Sequence, residues 1–372
     1  MKKNIFCAMT LIVCLWCNAE TIEQDGIEYV LHFNDHTAAA SFASGSGINV
    51  ETLVIPTTIS FEDEQFTVTE IFSKCFMIPN NTICKKVIIP NTVKRIGSRA
   101  FNNARNIKEI VLPDGLTRIE DGTFSLCKSL ETIVIPESVT RIGNDAFKNC
   151  ESLNNINLPS GVTYIGDAAF EQTALKKLVV PDGIKKIPAK MCAAAHKLQC
   201  ITIPPSVNEI ERYAFGGCGR LAKVIIPEAV TKIGANAFAG CECIDTIAIP
   251  NGVQKIEDSA FKGCRGLKHI ALPNSIQSIE EDAFSGCNNL ETLVLPASLQ
   301  TLGYNCLPGC ENCDAQLKKI VNYSTTPQSV EAQLFYNHDN RLSLITLVVP
   351  KGCSNTYKNH PWWGQMNIIE ME

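Results

Sequence analysis

One repeat governs this sequence. An aliphatic-proline step recurs at Pro90, Pro113, Pro136, Pro159, Pro181, Pro204, Pro227, Pro250, Pro273 and Pro296, with spacings of 23, 23, 23, 22, 23, 23, 23, 23 and 23 residues. Pro56 and Pro350 extend the series at irregular distance. So constant a period over most of a 372-residue chain argues against a string of ordinary globular domains. It calls for units that stack on one another, none able to bury its apolar face alone.

Distance from the proline sorts the residues into columns. Three residues after it stands an aliphatic, from Val93 to Leu299; six after it stands Ile in nine of ten repeats, then Leu302. Eleven after it come Phe101, Phe124, Phe147, Phe170, Phe215, Phe238, Phe261 and Phe284, with Cys192 and Leu307 in the remaining two. Positions one and three before the proline are aliphatic throughout, and position six before is Leu or Ile except at Cys84. Each coil therefore offers about six apolar side chains that stack on their counterparts. Burying each Phe or Leu contributes roughly 1.5–3 kcal/mol against the entropy of ordering the coil.

The segment before each proline alternates, as in Leu130-Glu131-Thr132-Ile133-Val134-Ile135, which predicts a short strand with one buried face. Return to the same point every 23 residues makes neighbouring strands parallel, and the proline, with no N–H to give the ladder, ends each one. The rest of the coil, for example Val139 to Cys150, is expected to be a turn or short helix. Before Pro90 the repeat carries eleven extra residues, expected as a hairpin near Glu62-Asp63-Glu64-Gln65, with Val68, Ile71 and Phe76 still on core columns.

The pattern Cys-x2-Leu-x2-Ile-x-Ile-Pro-x2-Val-x2-Ile-x3-Ala-Phe, from Cys127 to Phe147 and its counterparts across residues 50–310, resembles the BspA-like, Treponema-type leucine-rich repeat. Asp25-Gly26-Ile27-x-Tyr29 is similar to N-terminal caps of such proteins. Val348-Val349-Pro350-Lys351-Gly352-Cys353, Tyr357-Lys358 and the stretch from Trp362 to Glu370 are similar to their closing segment in Bacteroides-like bacteria. The resemblance implies an α/β solenoid: a leucine-rich repeat arc with a parallel concave sheet, about 12 rungs of 23 residues, capped at both ends. It also implies a secreted or surface-exposed bacterial protein, some relatives being adhesins for host matrix proteins or other cells.

The expected organisation is a signal peptide at 1–19, an N-terminal cap at 20–56, the solenoid at 57–310, and irregular last rungs with a C-terminal cap at 311–372. Lys2 and Lys3, the apolar run from Ile5 to Trp16, and Cys17-Asn18-Ala19 have the three parts of a secretory signal cleaved after Ala19. A lipoprotein signal fits poorly, because Cys14 follows Val13 and Cys17 follows Trp16. No later run is long enough to span a membrane. Loss of Lys2 and Lys3 would take the net charge from −5 to −7, which argues against nucleic acid as a partner. At the closing end, Leu344, Leu347 and Val349 are expected to form the last rung, covered by Trp362, Trp363, Ile368 and Ile369.

The 18 cysteines suggest disulfides in an exported chain, but their placement reads otherwise. Cys127, Cys150, Cys218, Cys241, Cys264, Cys287 and Cys310 share one column fourteen residues after a proline, where Ala104, Thr173 and Ala195 also stand. That is a small buried site, and Cys75, Cys84, Cys192 and Cys306 fall on core columns too. Parallel side chains about 4.8 Å apart do not meet disulfide geometry, so free thiols are expected. Cys310-x2-Cys313 would be half a metal site without a second half. No cofactor or metal is expected, and no motif pairs a nucleophile with a base.

Binding is therefore sought on residues that face away from the core. Four and two before the prolines, on the expected concave face, stand Val111, Thr132, Val134, Asn155, Asn157, Lys177, Val179, Thr202, Lys223, Ile225, Thr246, His269, Thr292 and Val294. A mildly apolar stripe beside a polar one suits a protein ligand, from host matrix or bacterial surface. The plainer explanation is that β-branched residues simply suit strands. A basic column five after the proline (Arg95, Arg118, Arg141, Lys186, Lys232, Lys255) reads either as an anion site or as solvated ion pairs. The expectation is an exported, adhesin-like, monomeric binding protein without enzyme activity. The alternatives are a surface glycan-binding protein, for which the outward columns lack aromatic platforms, and a hydrolase.

Overall fold

A computed structural model describes residues 19–42, 50–73, 83–308, 317–330 and 342–372. Residues 1–18 of the expected signal, Cys75, Phe76, Cys310 and Cys313 lie outside them. The chain divides into two units, Met1–Ala169 and Phe170–Glu372, and the division falls inside the single 22-residue repeat.

The first unit opens with an antiparallel meander of strands Ala19–Gln24, Ile27–His32 and Thr37–Phe42. Its first turn is Asp25-Gly26, with both φ values positive (54° and 79°), the backbone that a two-residue hairpin of this twist requires. Thr37–Phe42 pairs in parallel with Glu64–Ile71, which forms the expected hairpin with Thr58–Phe61 and then pairs with Arg95–Ile96. Val68 and Ile71 are buried there. From this point the unit is a ladder of coils. Pre-proline strands Thr52–Val54, Lys86–Ile88, Glu109–Val111 and Thr132–Ile133 run parallel and in register.

A second strand follows each proline, a feature the alternation did not predict. Arg118–Ile119, Arg141–Ile142 and Tyr164–Ile165 pair in parallel, each Ile inward and its neighbour outward.

The second unit repeats the arrangement. Its pre-proline strands include Lys177–Val179 beside Cys200–Thr202, Thr246–Ala248 beside His269–Ala271, and a four-stranded parallel sheet of Thr292–Leu295, Lys319–Asn322, Thr346–Val349 and Asn367–Glu370. Its post-proline strands form two ladders, Lys186–Ile187 with Glu209–Ile210 and Lys232–Ile233, then Lys255–Ile256 with Ser278–Ile279, Thr301–Leu302 and Ser329–Val330.

The rest of each coil, expected as a turn or short helix, is a turn in the described residues, whose one α-helix is Ser354–Lys358, beyond the repeats. The architecture is a β-solenoid, and the α/β reading gives way to it. The cause is local backbone: residues nine and thirteen after the proline take positive φ, as in Asp145 (52°) and Asn149 (59°) or Asn236 (58°) and Gly240 (70°). Two left-handed residues four apart break any helical run. They aim alternate N–H groups along the stack instead: Asp145, Phe147 and their equivalents donate to the next coil, at Asp167 O (2.8 Å) and Ala169 O (2.8 Å).

Inside, like packs on like. Phe101, Phe124 and Phe147 stack in the first unit, with centroids 5.8 and 5.4 Å apart. Phe215, Phe238, Phe261 and Phe284 do so in the second, at 5.3, 5.6 and 5.7 Å. Phe170 is buried in the same way.

The cysteine column is buried and free of disulfides among the described residues. Each Sγ has a partner as well as a space. Cys127 donates to Phe101 O (3.1 Å), Cys150 to Phe124 O (3.2 Å), Cys241 to Phe215 O (3.3 Å), Cys264 to Phe238 O (3.2 Å), and Cys287 to Phe261 O (3.2 Å). Cys218 donates to Cys192 O at 3.0 Å.

The closing end departs from expectation. Leu347 and Val349 are buried, but Leu344 is 75% exposed on a 3-10 turn, and Leu342 of that turn goes inward instead. The last strand is Asn367–Glu370, not Thr346–Val349. Of the four expected covering residues, Trp363 alone is fully buried, edge-on to Tyr357 (centroids 6.2 Å, 73°). Trp362 and Ile368 are half-buried, and Ile369 is exposed because its neighbour Ile368 takes the more inward side of the strand. Tyr357 Oη donates toward Ser324 O (2.9 Å) and Thr326 O (3.1 Å), which ties the short helix to the preceding coil.

Candidate binding surface

Most pre-proline strands keep the residue three before the proline inward and expose those two and four before it; Lys86, Ile88, Glu109, Cys200 and Val224 are half-buried. Ile133 is buried while Thr132 and Val134 are exposed, and Leu178 is buried between Lys177 and Val179. In the first unit the exposed set includes Val111, Thr132, Val134, Asn155 and Asn157; in the second it includes Lys177, Val179, Thr202, Lys223, Ile225, Thr246, His269, Thr292 and Val294. Every outward residue expected from the spacing is thus solvent-exposed. Asn155 and Asn157 lie outside any regular strand, and Lys223 joins its neighbour by a single bridge to Cys200.

The aliphatic part of this face is far from a trace. Twelve large hydrophobics are exposed among the described residues, and seven of them (Val54, Val111, Val134, Val179, Ile225, Val294 and Ile369) fall in the column two before the proline or in register with it. Val134 is 81% and Ile225 84% exposed. In the same column Ile88 and Val321 are half-buried and Val348 is buried.

Post-proline strands present a different face. Arg95 bonds Glu70 (2.5 Å), Lys186 bonds Glu211 (2.6 Å), Lys232 bonds Glu209 (2.7 Å), and Lys255 lies between Glu257 (3.2 Å) and Glu280 (3.4 Å). Arg141 sets its guanidinium 3.6 Å over the ring of Tyr164. The hydrogen bond that Lys232 donates to Glu209 raises the lysine's pKa. Such exposed pairs are worth about 0–1 kcal/mol each, and they neutralise four of the column's six cations. Of the two readings of the basic column, the geometry favours solvated ion pairs.

The buried thiols are poor chemistry. Burial pushes Cys127 and Cys218 up to about 12 and holds Cys150, Cys192, Cys241 and Cys287 well above the ordinary thiol range. A thiol held protonated is neither a nucleophile nor a metal ligand. Among the described residues no group of three or more His, Cys, Asp or Glu is placed to hold a metal ion, and no helix is long and apolar enough to cross a membrane. Sequence reasoning missed a surface cavity of about 440 Å³ in the second unit, lined by Lys268, His269, Asn289, Glu291 and Thr292. His269 and Thr292 were visible as outward residues; the depression between their rungs was not.

Comparison with known proteins agrees with this architecture. The pattern of the BspA type leucine-rich repeat region matches residues 69–199 and 185–314, in 6 copies. A search of curated proteins gives no match. Among solved structures, a leucine-rich repeat protein from Bacteroides ovatus ATCC 8483 is 23% identical, covers 94% of this chain and 100% of its own, and superposes with a TM-score of 0.64. The pneumococcal vaccine antigen PcpA is 21% identical, with 95% and 98% coverage and a TM-score of 0.56. At these identities the likeness is one of fold. The repeat match spans well over half the sequence, so the chain belongs to the family of BspA-type leucine-rich repeat proteins.

Proposed function

We propose that this is an exported, non-enzymatic binding protein, adhesin-like, that engages a protein partner through the outward face of its pre-proline strands. One observation carries the reading: the exposed aliphatic column, seven of the twelve exposed large hydrophobics among the described residues, flanked by a polar column in each unit. Exposed apolar surface rimmed by polar groups is what a protein partner covers. Export rests on the signal-like residues 1–19, and a surface location is in keeping with a fold shared with a pneumococcal vaccine antigen. The meander at Ala19–Phe42 and the closing segment around Trp363 would serve as the caps of the repeat array. A glycan ligand fits less well, since the outward columns carry no Phe, Tyr or Trp between Lys86 and Val294.

The test is an array of matrix proteins and glycans probed with the chain and its Val134→Asp and Ile225→Asp variants, with Tyr213→Asp as a control elsewhere on the surface. Capture of a protein, weakened about tenfold by either first variant and untouched by the control, is the expected result. Capture of glycans alone, or of a protein indifferent to both variants, contradicts the reading.

A further inference from the structure

The second unit carries a cationic stripe on its pre-proline face. The positions five and four before the prolines, and their equivalents in the irregular rung after Pro296, are Lys176-Lys177, Gln199-Cys200, Ala222-Lys223, Asp245-Thr246, Lys268-His269, Glu291-Thr292 and Lys318-Lys319. They hold six lysines against two carboxylates in a chain whose net charge is −5. All of these residues are exposed except Cys200, which is half-buried.

The lysines differ from those of the post-proline face in what they touch. Lys186, Lys232 and Lys255 each meet a glutamate. On the pre-proline face Lys318 meets Glu291 (3.1 Å), while Lys176, Lys177, Lys223, Lys268 and Lys319 make no ion pair among the described residues. The corresponding stretch of the first unit is balanced: Lys86 pairs with Glu109 (2.8 Å) and Lys108 with Glu131 (2.8 Å). One face of one unit therefore keeps five of its six lysines outside any ion pair among the described residues, beside the exposed Val179, Ile225 and Val294, and with the cavity at Lys268 and His269 set into it.

We propose that this face of the second unit binds an acidic polypeptide segment, one in which Asp or Glu alternates with aliphatic residues. The proposal rests on the binding-face reading above and names the chemistry of its partner. Charge complementarity selects the sign: carboxylates meet the unpaired lysine column. The neighbouring column selects the class. A sulfated polysaccharide has no use for exposed Val179 and Ile225, whereas a polypeptide covers both columns at once. At about 4.8 Å per parallel step, the six steps from Lys177 to Lys319 offer roughly 29 Å of such surface.

The experiment measures fluorescence anisotropy with three probes: a labelled peptide alternating Glu with Val or Leu, an oligo-glutamate of the same length, and heparin. The mixed peptide is expected to bind about tenfold tighter than oligo-glutamate and to weaken as salt rises. Lys177→Glu with Lys223→Glu should cost about tenfold for both peptides, while Ile225→Ser should weaken the mixed peptide alone. Thermal melts establish that these exposed variants fold. Heparin binding as tightly as the mixed peptide, or an Ile225→Ser change without effect, overturns the proposal in favour of a plain polyanion surface; so does absence of peptide binding. The same variants applied to the partner from the array separate the two claims. Loss with Val134→Asp or Ile225→Asp but not with lysine reversal leaves the binding face standing and removes the acidic partner. Indifference to all of them removes both.

Discussion

The ring of Phe261 lies over that of Phe238, with centroids 5.6 Å apart and planes within 1° of parallel. Each ring comes from the same point of successive coils, so the contact recurs without any special sequence for it. Phe238→Ala should cost about 3–5 kcal/mol, because the coils above and below cannot close on the gap. Phe238→Leu should cost less, about 1.5 kcal/mol or under, since Leu307 already fills this column in another coil. Urea unfolding of the two variants checks the order; equal losses would mean that ring stacking matters more than volume.

Alkali should unfold the protein through its thiols. The folded pKa values of Cys127 and Cys218 stand near 12, above the ordinary value of 9.0, because burial penalises the thiolate. In the unfolded chain the thiols lose protons first, so the stability they confer is complete below pH 9 and is lost as pH rises toward 12. Each such thiol should remove about 1.4 kcal/mol per pH unit in that window. Denaturation midpoints measured at pH 8 and pH 10 would show it, and Cys127→Ala with Cys218→Ala should reduce the slope by those two thiols' share, leaving that of Cys150, Cys192, Cys241 and Cys287. Alkylation at neutral pH should label exposed Cys243 in the native state and leave the buried column for the denatured one.

Acid should loosen the closing segment. His360 Nδ1 accepts the backbone N–H of Trp362 (3.2 Å) and Trp363 (3.4 Å), which an imidazolium cannot do. Burial lowers the His360 pKa below its ordinary value of 6.5. The contribution of the neutral ring is therefore present above pH 6.5 and lost as pH falls through the lower folded value. The protection of the Trp362 and Trp363 amides against hydrogen exchange, taken relative to the intrinsic rate at each pH, should fall on acidification in the wild type. His360→Ala should remove that response; a response that persists would assign it to another group.

The core was legible in the sequence because burial leaves a fixed mark every 23 residues: Ile142, Phe147 and Cys150 stand where their counterparts stand. The second strand was not, since Arg118–Ile119 has two residues and cannot alternate. The choice between turn and short helix in the rest of the coil stayed open for another reason. The left-handed positions nine after the proline are filled by Arg99, Ala168, Lys190 and Tyr213, residue types that do not announce positive φ; Gly217, Gly240, Gly263 and Gly286, four positions later, did carry a signal. Outward residues such as Val134 followed from alternation once Ile133 was fixed inward. What pairs with what on the surface did not follow: Lys232 reaching Glu209 depends on two side chains from different coils.

The central claim, that binding uses the pre-proline face, is tested most directly by lysine acylation footprinting of the chain with its captured protein partner. Both faces of the second unit carry exposed lysines: Lys177, Lys223 and Lys268 on one, Lys186, Lys232 and Lys255 on the other. The account predicts protection of Lys177, Lys223 and Lys268, with Lys186, Lys232 and Lys255 acylated as in the free protein. Protection of Lys186, Lys232 and Lys255 with the first three unchanged would contradict it.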